Sequence, residues 1–188
     1  MLQHVNVLVE TVLDEVATVL KSLRGVWDEE AVDELGHALQ SAARAIDDGA
    51  DDELVLAAAL HDLAHSPLFD EAAATHHDTT ARDWLTPRFG ERVGFLAGSH
   101  VAAKRYLVAT EPGYGSSLTE TSVLSLHAQG GAGVDADLIR HPWWPDALRL
   151  RRYDDAAKDP EARGVTIDDV LTIAKRVMGQ RHSGQESS

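Results

Sequence analysis

Three side chains that can bind a metal ion follow an apolar segment of the sequence. Six of the seven residues at positions 54–60 are Leu or Ala, and His61, Asp62 and His65 come within the next five positions. Such a segment is expected in the core, where ionisable groups are costly unless they are paired or bind a metal. On one continuous helix His61 and His65 share a face, with Asp62 about 100° from His61. This spacing suits a metal site, but a buried hydrogen-bonded pair without metal explains the His-Asp dipeptide better when it is taken alone.

Further side chains with ligand chemistry are spread along the chain. They are His37, His76-His77-Asp78, His100 and Asp154-Asp155. Singly, each is better explained as a core histidine, a helix cap or a solvated charge. Together with His61-Asp62 they place imidazoles and carboxylates on five predicted helices, which is how a helical bundle builds a two-metal site in its core.

The pattern of apolar residues is helical almost throughout the chain. Apolar residues recur at helical spacing, Gly or Pro closes many of the segments, and no segment alternates with the period of a strand. The sequence therefore predicts an all-α protein, with one domain over residues 1–179 and a disordered polar tail at 180–188. The predicted helices cover residues 4–24, 28–48, 51–66, 76–85, 91–109, 120–129, 146–158 and 166–178.

Composition narrows the kinds of metal and partner. The sequence has no cysteine, so any metal must be held by His, Asp and Glu, which favours iron, manganese or zinc. The formal net charge of −14 argues against nucleic acid and anionic membranes as partners. The sequence shows neither an apolar run of membrane-spanning length nor a signal pattern, so we expect a cytoplasmic protein.

The order of these groups, His37, His61-Asp62, His77, His100 and Asp154, resembles the HD-domain superfamily of metal-dependent proteins. Longer strings resemble the mixed-valent diiron oxygenases that cleave the carbon–phosphorus bond of 1-hydroxyphosphonates. The most specific strings are His100-Val-Ala-Ala-Lys-Arg-Tyr-Leu107 and Leu150-Arg-Arg-Tyr-Asp-Asp-Ala-Ala-Lys158. The resemblance spans about residues 27–158 and implies an HD-type helical bundle with a dimetal site in its core.

The resemblance also implies a cofactor and its ligands. The cofactor is a pair of iron ions in a mixed-valent Fe(II)/Fe(III) state, with O2 as co-substrate. His77 fits the family pattern better than His76, and Asp154 fits it better than Asp155. One iron is expected on His37, His61 and Asp154, the other on His77 and His100, with Asp62 bridging the two.

A set of polar side chains is expected around the substrate. By the resemblance, Lys104, Ser125 and Arg151 bind an anionic phosphonate, joined by Gln40, and His65 has a catalytic role. Without the resemblance, surface salt bridges with Glu111 or Asp155 are the better explanation of Lys104 and Arg151.

One position departs from the family pattern. The phosphonate-cleaving enzymes carry a tyrosine ten residues before the first histidine ligand and a glutamate seven residues before it. Here these positions hold Trp27 and Glu30. In the family the tyrosine ligates the second iron before substrate arrives, which an indole cannot do, and the glutamate meets the substrate's amino end. We therefore expect Glu30 in a catalytic role and Trp27 at the substrate, although packing in the core explains Trp27 equally well.

The candidate ligands and the family resemblance together predict a diiron oxygenase that cleaves a small hydroxylated phosphonate and releases phosphate. Two alternatives remain at this point. The first is an HD-type phosphohydrolase that acts on a phosphate ester, because the same ligands hold hydrolytic metals. The second is a non-catalytic helical scaffold with a vestigial His/Asp set.

Overall fold

The computed structural model describes residues 2–27 and 31–185. These residues form ten α-helices and no strand, so the predicted all-α fold is confirmed. None of the helices within these residues is both long and apolar enough to cross a membrane. The helices are α1 (Leu2–Ser22), α2 (Glu34–Asp47), α3 (Asp52–Leu60), α4 (Glu71–Thr75), α5 (His77–Phe89), α6 (Glu91–Gly98), α7 (His100–Thr110), α8 (Glu120–Ala128), α9 (Trp144–Ala156) and α10 (Ile167–Gln185).

Helix α3 lies at the centre of the bundle. Every residue from Leu54 to Leu60 is buried, which is the behaviour of a helix that is apolar on all sides. Helix α3 packs against α2, α6, α9 and α10. The Asp51 side chain caps its start by accepting a hydrogen bond from the Leu54 amide at 3.0 Å. The end of α3 therefore delivers His61 into the interior of the bundle.

Two predicted helices break where they reach the candidate ligands. Helix α3 ends at Leu60 rather than continuing to residue 66, and His65 lies in a short 3₁₀ turn, Leu63–His65. The predicted helical relationship of His61, Asp62 and His65 was therefore wrong. The predicted helix at 91–109 is likewise divided at Ser99, so that His100 is the first residue of α7 rather than a residue in mid-helix.

Other boundaries differ less. Helix α2 begins at Glu34, where the Asp33 side chain accepts a hydrogen bond from the Gly36 amide at 2.8 Å. The short helix α4 was not predicted. Helix α10 continues to Gln185 rather than ending at residue 178. The division into a domain at 1–179 and a disordered tail stays a prediction.

The segment after α9 is held firmly against α2. The Gln40 side-chain amide donates hydrogen bonds to the carbonyl oxygens of Asp159 at 2.8 Å and Ala162 at 3.2 Å. The Val165 amide donates to the Leu39 carbonyl at 3.2 Å. These contacts fix the stretch that follows the last turn of α9, where Asp154 lies.

Gly164 makes the close approach of this segment possible. A Cβ atom at Gly164 would lie 2.7 Å from the carbonyl carbon of Leu39, closer than real Cβ contacts. We expect Gly164→Ala to lower the free energy of unfolding by about 1–3 kcal/mol, because backbone must move to admit the methyl group. Chemical denaturation measures the change.

Gly179→Ala is the matched control, because the residue lies inside α10 and a Cβ there meets no heavy atom within 4 Å among the described residues beyond its own stretch of helix. We expect this change to be neutral or to stabilise the protein by up to about 1 kcal/mol. Equal effects of the two substitutions would contradict the close packing at Gly164.

Candidate metal centre

The six side chains expected to bind metal lie together inside the bundle. They form two groups of three, and within each group the candidate ligand atoms are within 4.8 Å of one another. The first group is His37, His61 and Asp154, and the second is Asp62, His77 and His100. This grouping agrees with the one that the family resemblance implies.

Helix ends supply nearly all of these side chains. His37 lies in the first turn of α2, His61 directly follows α3, His77 and His100 begin α5 and α7, and Asp154 lies in the last turn of α9. Asp62 lies in the turn after α3, with φ −103° and ψ 20°. Because the chain leaves the helical conformation there, the Asp62 Oδ2 atom reaches 3.0 Å from His61 Nε2.

The Asp62 carboxylate spans the two groups. Its Oδ2 atom faces the first group, 3.0 Å from His61 Nε2 and 3.5 Å from His37 Nε2. Its Oδ1 atom faces the second, 3.3 Å from His100 Nε2 and 3.8 Å from His77 Nε2. Oδ1 is buried and makes no hydrogen bond within the described residues, which is costly for a carboxylate oxygen unless a cation lies beside it.

All four imidazoles are held in the same way. Each Nδ1 lies within hydrogen-bond distance of a backbone carbonyl to which it donates, so the Nε2 lone pair faces the centre of its group. The His77 and His100 Nε2 atoms are 3.1 Å apart, and those of His37 and His61 are 3.4 Å apart. Two acceptor atoms at this separation repel each other unless a cation lies between them. The carbonyl partners are Ala157 for His37, Ala58 for His61, Ala74 for His77 and Ala97 for His100.

The electrostatics of the two groups also favour a cation. Burial acts to raise the pKa of Asp62, but the neighbouring imidazoles, His61 foremost, hold it well below its usual range. Burial likewise opposes ionisation of Asp154, and Arg151 and His61 outweigh it and lower the pKa. The carboxylates raise the pKa of His61 well above its usual value against the effect of burial. The negative field that attracts a proton to His61 attracts a metal ion equally, and metal binding then releases the proton.

His77, in the second group, already has the protonation state that a metal needs. Burial lowers the pKa of His77 to about 4, so this imidazole is neutral at physiological pH. A neutral imidazole and an ionised carboxylate are the forms that bind a metal. The residues present therefore fit two metal ions, one in each group, with Asp62 between them.

A cavity of about 650 Å³ opens beside both groups. Its wall includes His65, Lys104, Ser125 and Arg151, which the sequence analysis placed around the substrate. His65 Nε2 lies 4.0 Å from Asp62 Oδ1. The expected neighbours of the substrate thus share one cavity with the candidate ligands, and their roles there stay predictions.

Lys104 is buried, which excludes the surface salt bridge as its explanation. Its side chain is 4% exposed, and its ammonium donates a hydrogen bond to the Ser125 hydroxyl at 2.8 Å. Burial, helped by the nearby charge of Arg151, lowers the pKa of Lys104 to about 8. A buried ammonium at a cavity wall is suited to an anionic ligand.

Arg151 is also buried, but it is bound to protein groups on three sides. Nη1 donates to Asp154 Oδ2 at 2.6 Å, Nη2 donates to Asp155, and Nε donates to the Tyr114 hydroxyl at 3.0 Å. The ion pair with Asp155 that the sequence offered as an alternative is therefore present, with Arg151 buried and Asp155 partly exposed. Arg151 also holds Asp154, a candidate metal ligand, in place.

Two expected substrate residues, Gln40 and Trp27, are not among the wall residues of the cavity. Both ends of the Gln40 amide bind the backbone at 159–162, including the Asp159 amide that donates to Oε1 at 3.3 Å, and its role at the substrate stays a prediction. Trp27 is 62% exposed, which excludes packing in the core as its explanation. Its place at the substrate stays a prediction. The expected catalytic residue Glu30 lies outside the described residues.

Several wall residues were missed by the sequence analysis. Lys158 donates a hydrogen bond to the Ser122 hydroxyl at 2.9 Å, and its Nζ lies 4.0 Å from Asp154 Oδ1. Glu34 is buried at the same cavity. For Lys158 a signal was available, because it lies four residues after Asp154 in a string that was already singled out.

Two known proteins are similar to most of the chain. Hydroxymethylphosphonate dioxygenase of Gimesia maris is 34% identical over 152 residues, which cover 76% of this chain and 74% of the relative. The glycine-betaine-forming 1-hydroxy-2-(trimethylamino)ethylphosphonate dioxygenase of Leisingera caerulea is 31% identical over 157 residues, covering 74% and 80%. No family model matches the sequence.

These similarities, together with the paired His/Asp groups, define the protein as an oxygenase. The chain belongs to the family of phosphonate dioxygenases. Both relatives are named as dioxygenases, so the comparisons favour the oxygenase prediction over the phosphohydrolase alternative.

Proposed function

We propose that this protein is a diiron oxygenase of the HD type that cleaves the carbon–phosphorus bond of a small hydroxylated phosphonate and releases phosphate. The observation that carries the proposal is the position of Asp62, whose two oxygens face two separate His-containing groups beside a cavity with buried cations. The named activities of both relatives support the same class of substrate. We further propose that the enzyme acts in the cytoplasm.

The two groups of candidate ligands support a place for each metal. His37, His61 and Asp154 would hold one ion and His77 with His100 the other, and Asp62 would be a ligand shared by both. Imidazole and carboxylate donors without thiolate suit iron. Two irons in the mixed-valent Fe(II)/Fe(III) state would supply O2 activation beside the bound substrate.

Polar side chains in the wall of the cavity would bind the phosphonate group. The buried Lys104 ammonium is placed to bind an anionic oxygen, with the Ser125 hydroxyl beside it. His65 lies close enough to Asp62 to donate a hydrogen bond to a group held at the metals. Lys158 and Ser122 extend the same polar wall. An acidic protein thus offers a local cationic site for an anion.

The proposed activity is tested with iron-loaded protein and a panel of 1-hydroxyphosphonates that includes hydroxymethylphosphonate. We expect phosphate release that depends on O2 and consumes it in a fixed ratio. The same preparation should release no phosphate without O2. Phosphate release from a phosphate monoester under nitrogen, with no O2 uptake from any phosphonate, would instead establish the phosphohydrolase.

The Lys104 ammonium gives the substrate affinity a pH dependence. Because its pKa is about 8, Lys104 is charged below that pH and loses its charge as the pH rises above it. Arg151 and Lys158 act to lower this pKa, whereas Asp154 and Asp62 act to raise it. We expect the affinity for hydroxymethylphosphonate, measured by calorimetry without O2, to fall as the pH rises through about 8.

Lys104→Arg is the matched control, since a guanidinium keeps its charge over the whole range. The variant should show a flatter pH profile than the wild type, and the ionisation of the phosphonate itself affects both proteins equally. Parallel profiles for the two proteins would show that Lys104 does not carry the dependence.

A further inference from the structure

Tyr114 is a buried residue that belongs neither to the two candidate metal groups nor to the wall of the cavity. It lies in a short 3₁₀ turn, Tyr114–Ser117, between α7 and α8, and its side chain is 5% exposed. Its hydroxyl donates a hydrogen bond to Asp155 and accepts one from Arg151 Nε at 3.0 Å. The Arg152 guanidinium lies over the ring, 5.0 Å from its centroid. The phenol is thus fixed both at its edge and on its face.

The Tyr114 hydroxyl closes a chain of contacts that ends at the metal centre. Arg151 donates to Asp154 Oδ2 at 2.6 Å, and Asp154 Oδ2 lies 3.6 Å from His61 Nε2. Asp155 holds the other end of the Arg151 guanidinium. Removing the Tyr114 hydroxyl would therefore release Nε of Arg151 and one oxygen of Asp155 together.

The three hydrogen bonds of Arg151 also determine which of its N–H groups are left for a ligand in the cavity. A guanidinium has five N–H groups in a fixed planar fork. Three of them are taken by Asp154, Asp155 and Tyr114, which leaves one N–H on Nη1 and one on Nη2. Because the guanidinium is planar, the three bonded N–H groups also fix the directions of the other two. Arg151 lines the cavity, so these two N–H groups are the donors that it can offer to a ligand there.

We propose that Tyr114 is a positioning residue that orients the Arg151 guanidinium and, through it, both the Asp154 carboxylate at the first metal group and the donors that face the phosphonate. This inference rests on the proposed function for the identity of the ligands. It assigns to Tyr114 no contact with the substrate or the metal. Partners that orient a metal ligand typically contribute about 10- to 100-fold to metal affinity.

The test is Tyr114→Phe, which removes the hydroxyl and keeps the ring under Arg152. Fe(II) affinity is measured without O2 in a His77→Asn background, where the first group alone is left to bind iron, and in a His37→Asn background, where only the second is left. We expect a loss of about 10- to 100-fold at the first group and a change of less than about twofold at the second. Hydroxymethylphosphonate affinity in the two-iron protein should fall about tenfold.

Tyr106→Phe is the control for a general effect of losing a phenol, because its ring packs on Trp144 and no hydrogen bond of its hydroxyl is seen within the described residues. The midpoint of thermal unfolding should fall more in Tyr114→Phe than in Tyr106→Phe, because only the first substitution leaves buried polar groups without their partner. Unchanged iron and phosphonate affinities in Tyr114→Phe would overturn the proposal. Equal losses at both metal groups with a lowered unfolding midpoint would also overturn it, because they indicate general destabilisation.

Iron binding and phosphate release by the wild type distinguish a failure of this inference from a failure of the proposed function. If the wild type binds two irons but releases no phosphate from any phosphonate, the proposed activity fails while the positioning of Asp154 by Tyr114 is still measured through iron affinity. If the wild type binds no iron at all, both proposals fail.

Discussion

Replacing Asp62 with alanine is expected to remove both metal ions from the protein at once. Asp62 Oδ2 lies 3.0 Å from His61 Nε2 and Oδ1 lies 3.3 Å from His100 Nε2, so one carboxylate serves both groups. Its removal also takes away negative charge that balances two dications in a buried site. Metal analysis of protein reconstituted with Fe(II) should show two ions per chain in the wild type and almost none in Asp62→Ala.

The expected loss extends to activity and to stability. Phosphate release should fall at least about 1,000-fold, because residues that act as a unit are lost together when one is removed. The wild type should gain thermal stability as Fe(II) is added, since a ligand that binds only the folded state stabilises it. Asp62→Ala should gain almost none.

Asp83→Ala is the matched control, because Asp83 is 65% exposed and pairs only with the exposed Arg82 in the described part of the chain. It should bind two irons like the wild type. Retention of one tightly bound iron by Asp62→Ala would show that the two groups do not depend on a shared carboxylate.

Substitutions of the terminal imidazoles are expected to separate the two sites. His77 belongs only to the second group and His37 only to the first. His77→Asn should therefore lose one iron and keep the other, and His37→Asn should do the reverse. Both variants should lose phosphate release, because the proposed reaction needs both metals, and metal analysis with Mössbauer spectroscopy distinguishes the ion that is left.

The exposed His127 provides the control for a histidine lost outside the two groups. His127→Asn should keep two irons and wild-type activity. If His77→Asn and His37→Asn retained the same single iron, with the same spectrum, the assignment of the two groups would be wrong.

The burial of the central helix α3 could be predicted from the sequence, because all of its residues from 54 to 60 are apolar. Residues 54–60 carry no polar side chain, so this segment is buried on all sides whatever surrounds it. The groups that follow it had to be paired or bound to a metal for the same reason. Their convergence with His37, His77, His100 and Asp154 was a prediction that rested on resemblance as well as on chemistry.

The breaks in the helices could not be predicted, because tertiary contacts set them. Residues 61–65 carry no strong helix-breaking residue, and at Ser99 the preceding Gly98 is the only one, yet the chain leaves the α-helix at both places and brings ligands to helix ends. Local propensity is too weak to resist a favourable tertiary arrangement. The same limit applies to the contacts of Gln40 with the segment after α9, which its own sequence string does not indicate.

Contacts between residues that are distant in the sequence could not be predicted either. Tyr114 comes from a turn 37 residues before Arg151, and only the fold brings its hydroxyl to the guanidinium. Lys158 and Ser122 meet across 36 residues. Helical spacing predicts contacts within one helix, such as that of Arg151 with Asp154, but not contacts between helices.

The measurement that tests the central claim most directly is anomalous X-ray diffraction at the iron absorption edge, from crystals loaded with Fe(II) without O2. The account predicts two peaks roughly 3.5–4 Å apart. One should lie beside His37, His61 and Asp154, the other beside His77 and His100, with Asp62 in contact with both. A single peak, or two peaks that do not share Asp62, would contradict it.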